Sequence, residues 1–198
     1  MSTELYDEKF YKRRTTYQKR APLMCNGIIE LFKPISVIDC GCALGDLVAE
    51  FLHQGIKSEG IEGSSSVIPF IQCPKENMYI YDLSKALPTL GKYSVVTCFE
   101  VAEHIEPQFV EVFIDNLCGL ANTIVMSVCD YGSTTKVHPN VQPRSYWIEK
   151  FEKRFFYQSP VKEAALKISW DPIKKYPAVQ EAYRNLIVFE RETFQEKV

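Results

Sequence analysis

The chain has 198 residues, 46% of them hydrophobic and 24% charged, with 23 Lys+Arg against 25 Asp+Glu and a net charge of −2. That length and composition suit one globular domain and exclude long disorder. The near balance of charge excludes a protein held to nucleic acid by bulk positive charge, and no apolar run is long enough to span a bilayer.

The opening MSTELYDEKFYKRR lacks the apolar stretch of a secretory signal. Residues 4–20 mix Tyr6, Phe10, Tyr11 and Tyr17 with Lys12, Arg13, Arg14, Lys19 and Arg20, the pattern of an amphipathic arm or helix. Leu23, Ile28, Ile29, Leu31 and Phe32 are spaced for a helix over 21–32, which Pro34 closes. Strand and helix patterns then alternate. Strands are predicted over 35–40, 57–61, 78–81, 93–99 and 123–128, and helices over 45–53 and 107–120, the latter with Pro107 at its start. A polar loop over 130–142 precedes a helix over 144–155. Residues 159–183 look irregular, a place where loops shape an acceptor pocket, and 185–191 is a last strand. Such alternation means a mostly parallel sheet covered on both faces, with ligands outside the carboxyl ends of its strands.

Seven cysteines (25, 40, 42, 73, 98, 118 and 129), with no CxxC pair and mostly apolar neighbours, suggest reduced thiols and a cytoplasmic setting. Cys40 and Cys42 stand too close together and too alone for a zinc site. His53 reads as a surface residue, and Trp147, Ile148 and Phe151 as core.

The first strand ends in Asp39-Cys40-Gly41-Cys42-Ala43-Leu44-Gly45-Asp46 and a helix follows at once. Gly41 permits a sharp turn and a close approach to a ligand, and Gly45 lets the helix start near the strand. The second strand ends in Gly60-Ile61-Glu62-Gly63, with Glu62 23 residues after Asp39, where a carboxylate can accept hydrogen bonds from a ribose diol. The Gly41-x-x-x-Gly45 spacing disfavours a nicotinamide dinucleotide, which wants GxGxxG.

These residues resemble the class I S-adenosylmethionine-dependent methyltransferases. Asp39-Cys-Gly41-Cys42-Ala43-Leu-Gly45 is similar to their D-x-G-x-G-x-G motif, with Ala43 at the middle glycine. Glu100-Val-Ala-Glu103-His104 is similar to their E-V-x-E-H segment, and 185–191 to their last strand. The resemblance implies an α/β fold: a doubly wound, Rossmann-like, mostly parallel seven-stranded sheet with an antiparallel last strand and helices on both faces. It implies one domain: an N-terminal arm and helix (1–34), a cofactor-binding half (35–130) and a substrate-side half (131–198). S-adenosyl-L-methionine is then the implied cofactor, held by Asp39, Gly41, Cys42, Ala43, Gly45, Glu62, Asp82, Leu83 and Glu100, with Asp82 beside the adenine amino group and Tyr6, Tyr11 or Arg14 as a lid.

Methyl transfer from a sulfonium is an in-line displacement, so a hydroxyl acceptor must be aligned and must lose a proton. Glu100, Glu103 and His104 follow the fourth strand within about a helical turn, and His138 follows the fifth on the same sheet edge. His104, His138 and Glu103 are the candidate catalytic residues. Two carboxylates and two imidazoles there would also suit a divalent metal. Family members with a similar Glu-x-x-Glu-His, among them small-RNA 3′-end 2′-O-methyltransferases, use one to orient a hydroxyl. The stretch 136–147 instead resembles the H-x-N-x-Q-P-x-x-Y-W segment of methyltransferase-like proteins, many of them viral. The expected function is methylation of a small-molecule or sugar hydroxyl. The alternatives are a metal-dependent RNA 2′-O-methyltransferase and a non-catalytic S-adenosylmethionine-binding scaffold subunit, which would be expected to lose the acidic and histidine groups present here. No membrane partner is expected.

Overall fold

The computed structural model describes residues 6–15, 20–130, 132 and 134–192. Tyr17 and Lys19 of the basic arm lie outside them. Helix α1 (Glu8–Arg14) starts where the Asp7 side chain accepts the Phe10 N–H, and α2 (Ala21–Phe32) ends where Lys33 turns left-handed. The chain continues through β1 (Ser36–Cys40), α3 (Asp46–His53), β2 (Lys57–Glu62), β3 (Met78–Ile80), β4 (Val95–Cys98), α4 (Val110–Leu120) and β5 (Thr123–Ser127). It closes with α5 (Arg144–Glu152), β6 (Phe156–Gln158), α6 (Pro160–Trp170), α7 (Pro177–Arg184) and β7 (Leu186–Arg191).

The seven strands form one sheet in the order β3-β2-β1-β4-β5-β7-β6. Strand β7 runs antiparallel to both β5 and β6, so the other six share one direction. The doubly wound sheet with its antiparallel last strand is therefore as expected. The strand order reverses between β1 and β4, which sets a crevice at their carboxyl ends.

Alternation along the strands builds two cores. Ile38, Val96, Ile124 and Ile187 face α4 and α5, packing with Phe113, Leu117, Trp147 and Phe151. Their neighbours Val37, Val95, Val125 and Val188 face the other layer, packing with Met24, Ile28, Phe51, Leu166 and Trp170. Strands buried on both sides read as continuous apolar runs, which is why they stand out in the sequence. Trp147 and Phe151 are core, His53 is exposed, and all seven cysteines are buried free thiols. No helix among the described residues is long and apolar enough to cross a membrane.

Two expectations are corrected. The 159–183 segment is not irregular: it holds α6 and α7, whose prolines Pro160 and Pro177 stand in the first turn, where proline starts a helix rather than breaking one. The helix expected over 144–155 stops at Glu152. The chain then turns at Phe155 (φ 61°) into β6, too short at three residues to show a strand pattern.

Candidate active site

The turn after β1 takes left-handed backbone at Gly41 (φ 81°), Ala43 (φ 49°) and Gly45 (φ 74°). A Cβ at Gly41 would overlap the Val101 side chain, so glycine is needed there both for φ and for space. The N–H groups of Gly41 and Cys42 both donate to the Ile61 carbonyl, at 2.8 and 3.0 Å, tying the turn to the end of β2. That bond sets Glu62 beside the turn. Its Oε2 accepts the Ala43 N–H at 3.0 Å, and its Oε1 accepts the Ser64 N–H at 3.1 Å and the Tyr11 hydroxyl at 2.9 Å.

Glu100 leaves β4 in a left-handed conformation (φ 56°), rare for a residue with a side chain and a form of strain that clusters at functional sites. One hydroxyl holds it: Ser127 Oγ accepts the Glu100 N–H at 2.8 Å and donates to Glu100 Oε1 at 2.7 Å. A short 3-10 turn, Ala102–His104, then carries Glu103 and His104. Glu103 is 2% exposed, and among the described residues its Oε2 has no hydrogen-bond partner. Burial first, and the neighbouring Glu100 charge second, push its carboxyl up to about 8. Burial also raises Glu100. His104 Nδ1 donates to the Val137 carbonyl at 2.8 Å, because a carbonyl can only accept. Burial chiefly pulls His104 down to about 4, the bond to Val137 opposing, so its imidazole is neutral at physiological pH with a lone pair on Nε2. His138 packs edge-on against it, ring centroids 4.7 Å apart.

These groups border a cavity of about 570 Å³, a size usual for small-molecule sites. Gly41, Ala43, Glu62, Leu83 and Glu100 line it, and so do Glu103, His104 and His138. Tyr6, Phe10 and Arg14 line it from the N-terminal arm, with Tyr6 edge-on to His104 at 5.7 Å. The other four expected cofactor residues do not line it. Asp39 is buried and accepts the Thr97 hydroxyl at 2.7 Å; burial pushes its carboxyl up to about 7 against that bond. Cys42 Sγ lies 3.3 Å from Met78 Sδ. Gly45 caps α3, and Asp82 accepts the N–H and hydroxyl of Ser84 at the edge of its own loop. Ser127 and Glu181 escape sequence reasoning, and Arg20 of the basic arm arrives in a role that its sequence does not show. Ser127 has no local signal, Glu181 comes to the cavity from α7, and Arg20 reaches it while paired with Asp46 at 3.1 Å.

Among the described residues Glu103, His104 and His138 form a group that could hold a metal ion: one ligand atom from each, all within 4.8 Å of one another. The donor set, one carboxylate and two imidazoles, fits zinc, manganese or magnesium in that order of nitrogen preference.

Residues 13–157 match the model of a family described as a methyltransferase domain. The chain belongs to that family, and it is a class I S-adenosylmethionine-dependent methyltransferase. No curated protein sequence matches it. Its fold is that of several solved structures. Magnesium protoporphyrin IX methyltransferase from Synechocystis, with bound S-adenosylhomocysteine, is 15% identical over 90% of this chain and 85% of that one, TM-score 0.61. The methyltransferase domain of bacterial CtHen1-C is 16% identical over 89% and 100%, TM-score 0.58. CalS10, an amino pentose methyltransferase from Micromonospora echinaspora, is 11% identical over 89% and 92%, TM-score 0.60.

Proposed function

We propose that this methyltransferase acts on a hydroxyl of a small molecule or sugar, in the cytoplasm. The observation that carries the reading is one cavity with the glycine turn and Glu62 in one wall and Glu103, His104 and His138 in another. S-adenosylmethionine, when bound, supplies an electrophilic methyl on a sulfonium. Its site would be made by the Gly41–Ala43 backbone, Glu62 for the ribose, Leu83 against the base and Glu100 near the amino-acid end, while Asp39 and Gly45 shape the turn from behind. A turn kept free of a Cβ at Gly41 fits a ligand laid against the backbone. The acceptor hydroxyl would face that methyl from the wall that carries Glu103, His104 and His138, and its proton would pass to His138. His104, kept neutral by burial and bonded to the Val137 carbonyl, orients His138 through ring contact. An amino pentose methyltransferase and a porphyrin methyltransferase sharing the fold support a compact acceptor.

A second reading is favoured by the three converging ligand atoms: a divalent metal on Glu103, His104 and His138 that orients the hydroxyl, with an RNA 2′-hydroxyl as the acceptor. Calorimetric titration with S-adenosylmethionine and S-adenosylhomocysteine, followed by radiomethyl transfer to sugars, nucleotide sugars and short RNAs with and without EDTA, separates the two. Micromolar binding and EDTA-insensitive transfer to a sugar are expected. Transfer lost in EDTA and restored by manganese, with RNA binding that falls steeply with salt, gives the second reading instead. Failure of both ligands to bind overturns both.

A further inference from the structure

Glu62 is already well occupied before any ligand arrives. A carboxylate has about four acceptor positions, two on each oxygen. Oε1 uses both, on the Tyr11 hydroxyl and the Ser64 N–H, and Oε2 uses one, on the Ala43 N–H. Among the described residues these three donors are its partners, which leaves one open position, on Oε2. The donors are not easily moved. Two are backbone amides, and Tyr11 is 0% exposed, wedged with Ala43, Leu44 and Val67 and edge-on to Phe10 at 5.1 Å. Tyr11 does not line the cavity, whereas Glu62 and Ala43 do, so the phenol holds Glu62 from outside the ligand space. Burial and the Glu62 charge raise the phenol, so it keeps the proton that it donates to Glu62.

Resting on the cofactor reading above, we propose that Tyr11 is a positioning residue that makes Glu62 accept a single ribose hydroxyl of the cofactor, through Oε2, rather than both hydroxyls of the diol. A second hydroxyl would have to break the buried Tyr11 bond, and an orphaned buried donor is costly. The ribose is thus read at one position, and the arm that carries Tyr11 fixes which carboxylate oxygen reads it. Ser64 reinforces the arrangement, since its hydroxyl donates to the Tyr6 carbonyl at 2.9 Å and so ties the same arm to the end of β2.

The test is a titration of the whole protein with S-adenosylhomocysteine and its 2′-deoxy and 3′-deoxy analogues. The parent protein is expected to lose about ten- to a hundredfold in affinity with one deoxy analogue and less than threefold with the other, as one hydrogen bond to a charged group predicts. In Tyr11→Phe the freed oxygen takes the second hydroxyl, so both analogues bind about tenfold or more below the parent ligand. A structural role alone would weaken all three ligands equally and leave the preference between analogues intact. Equal losses for the two analogues in the parent overturn the proposal, and that series stands even if Tyr11→Phe fails to fold. No binding of S-adenosylhomocysteine itself overturns the cofactor reading instead, and unchanged binding by Glu62→Gln removes Glu62 from the ribose.

Discussion

At the scale of single residues, Asp39 illustrates what burial does to a carboxyl. Its folded value of about 7 stands above its ordinary 3.8. Between those limits the folded state therefore binds more protons than the unfolded one, and this group's contribution makes stability fall as pH rises from about 4 to about 7. Asp39→Asn keeps an oxygen for the Thr97 hydroxyl and removes the titration. The variant's stability relative to the parent is expected to grow across that window, by at most about 1.4 kcal/mol per pH unit. Urea melts at pH 5 and pH 8 check it, and a constant difference rejects it. Glu62→Ala is expected to weaken cofactor binding by about 1–3 kcal/mol, the cost of leaving polar groups unpaired. His138→Ala is expected to leave binding intact and to lower turnover; calorimetry beside a transfer assay decides, and equal losses of binding would erase that division of the site. The glycine turn, Glu62 and the Glu100–His104 stretch are legible in the sequence because each is a local pattern at a strand end. The Tyr11–Glu62 bond is not, since its partners are 51 residues apart and meet only when the arm folds back.

At the scale of elements, legibility follows burial on two faces. The strands β1, β4 and β5 announce themselves as apolar runs, whereas α6 and α7 hide behind their prolines and exposed residues, such as Val161 and Ile168 at 82% and 76% exposure. What holds α6 is Trp170: fully buried, its Nε1 donating to the Met24 carbonyl at 3.2 Å and its ring edge-on to Phe99 at 5.8 Å. Trp170→Ala is expected to cost about 3–5 kcal/mol, from lost apolar burial and the cavity left behind. Denaturant unfolding measures this, and a loss under 1 kcal/mol would mean that α6 is held by something else. The close fit is mutual, because a Cβ on Gly27 of α2 would stand 2.7 Å from Ser169 Oγ and 2.8 Å from Trp170 Nε1.

At the scale of the whole molecule, ligand and fold are linked through the crevice where the strand order reverses. S-adenosylhomocysteine at a hundred times its Kd is expected to add about 2.7 kcal/mol of stability, a rise in Tm of roughly 5–10 °C for a chain of this size. A melting curve with and without ligand checks this, and no shift at saturation speaks against a folded-state site. The same topology governs how the protein is made. Strand β7 inserts between β5 and β6, and the Trp170–Met24 bond joins residues 146 apart. A nascent chain still lacking α6 and β7 has made its glycine turn and five parallel strands, yet the apolar layer of Met24, Ile28 and Phe51 lacks Leu166 and Trp170, and β5 offers an open edge. Synthesis from the N-terminus therefore produces the part that carries the glycine turn first, in a sticky, unfinished form. A ribosome stalled before residue 156 would release a chaperone client rather than a working half-enzyme.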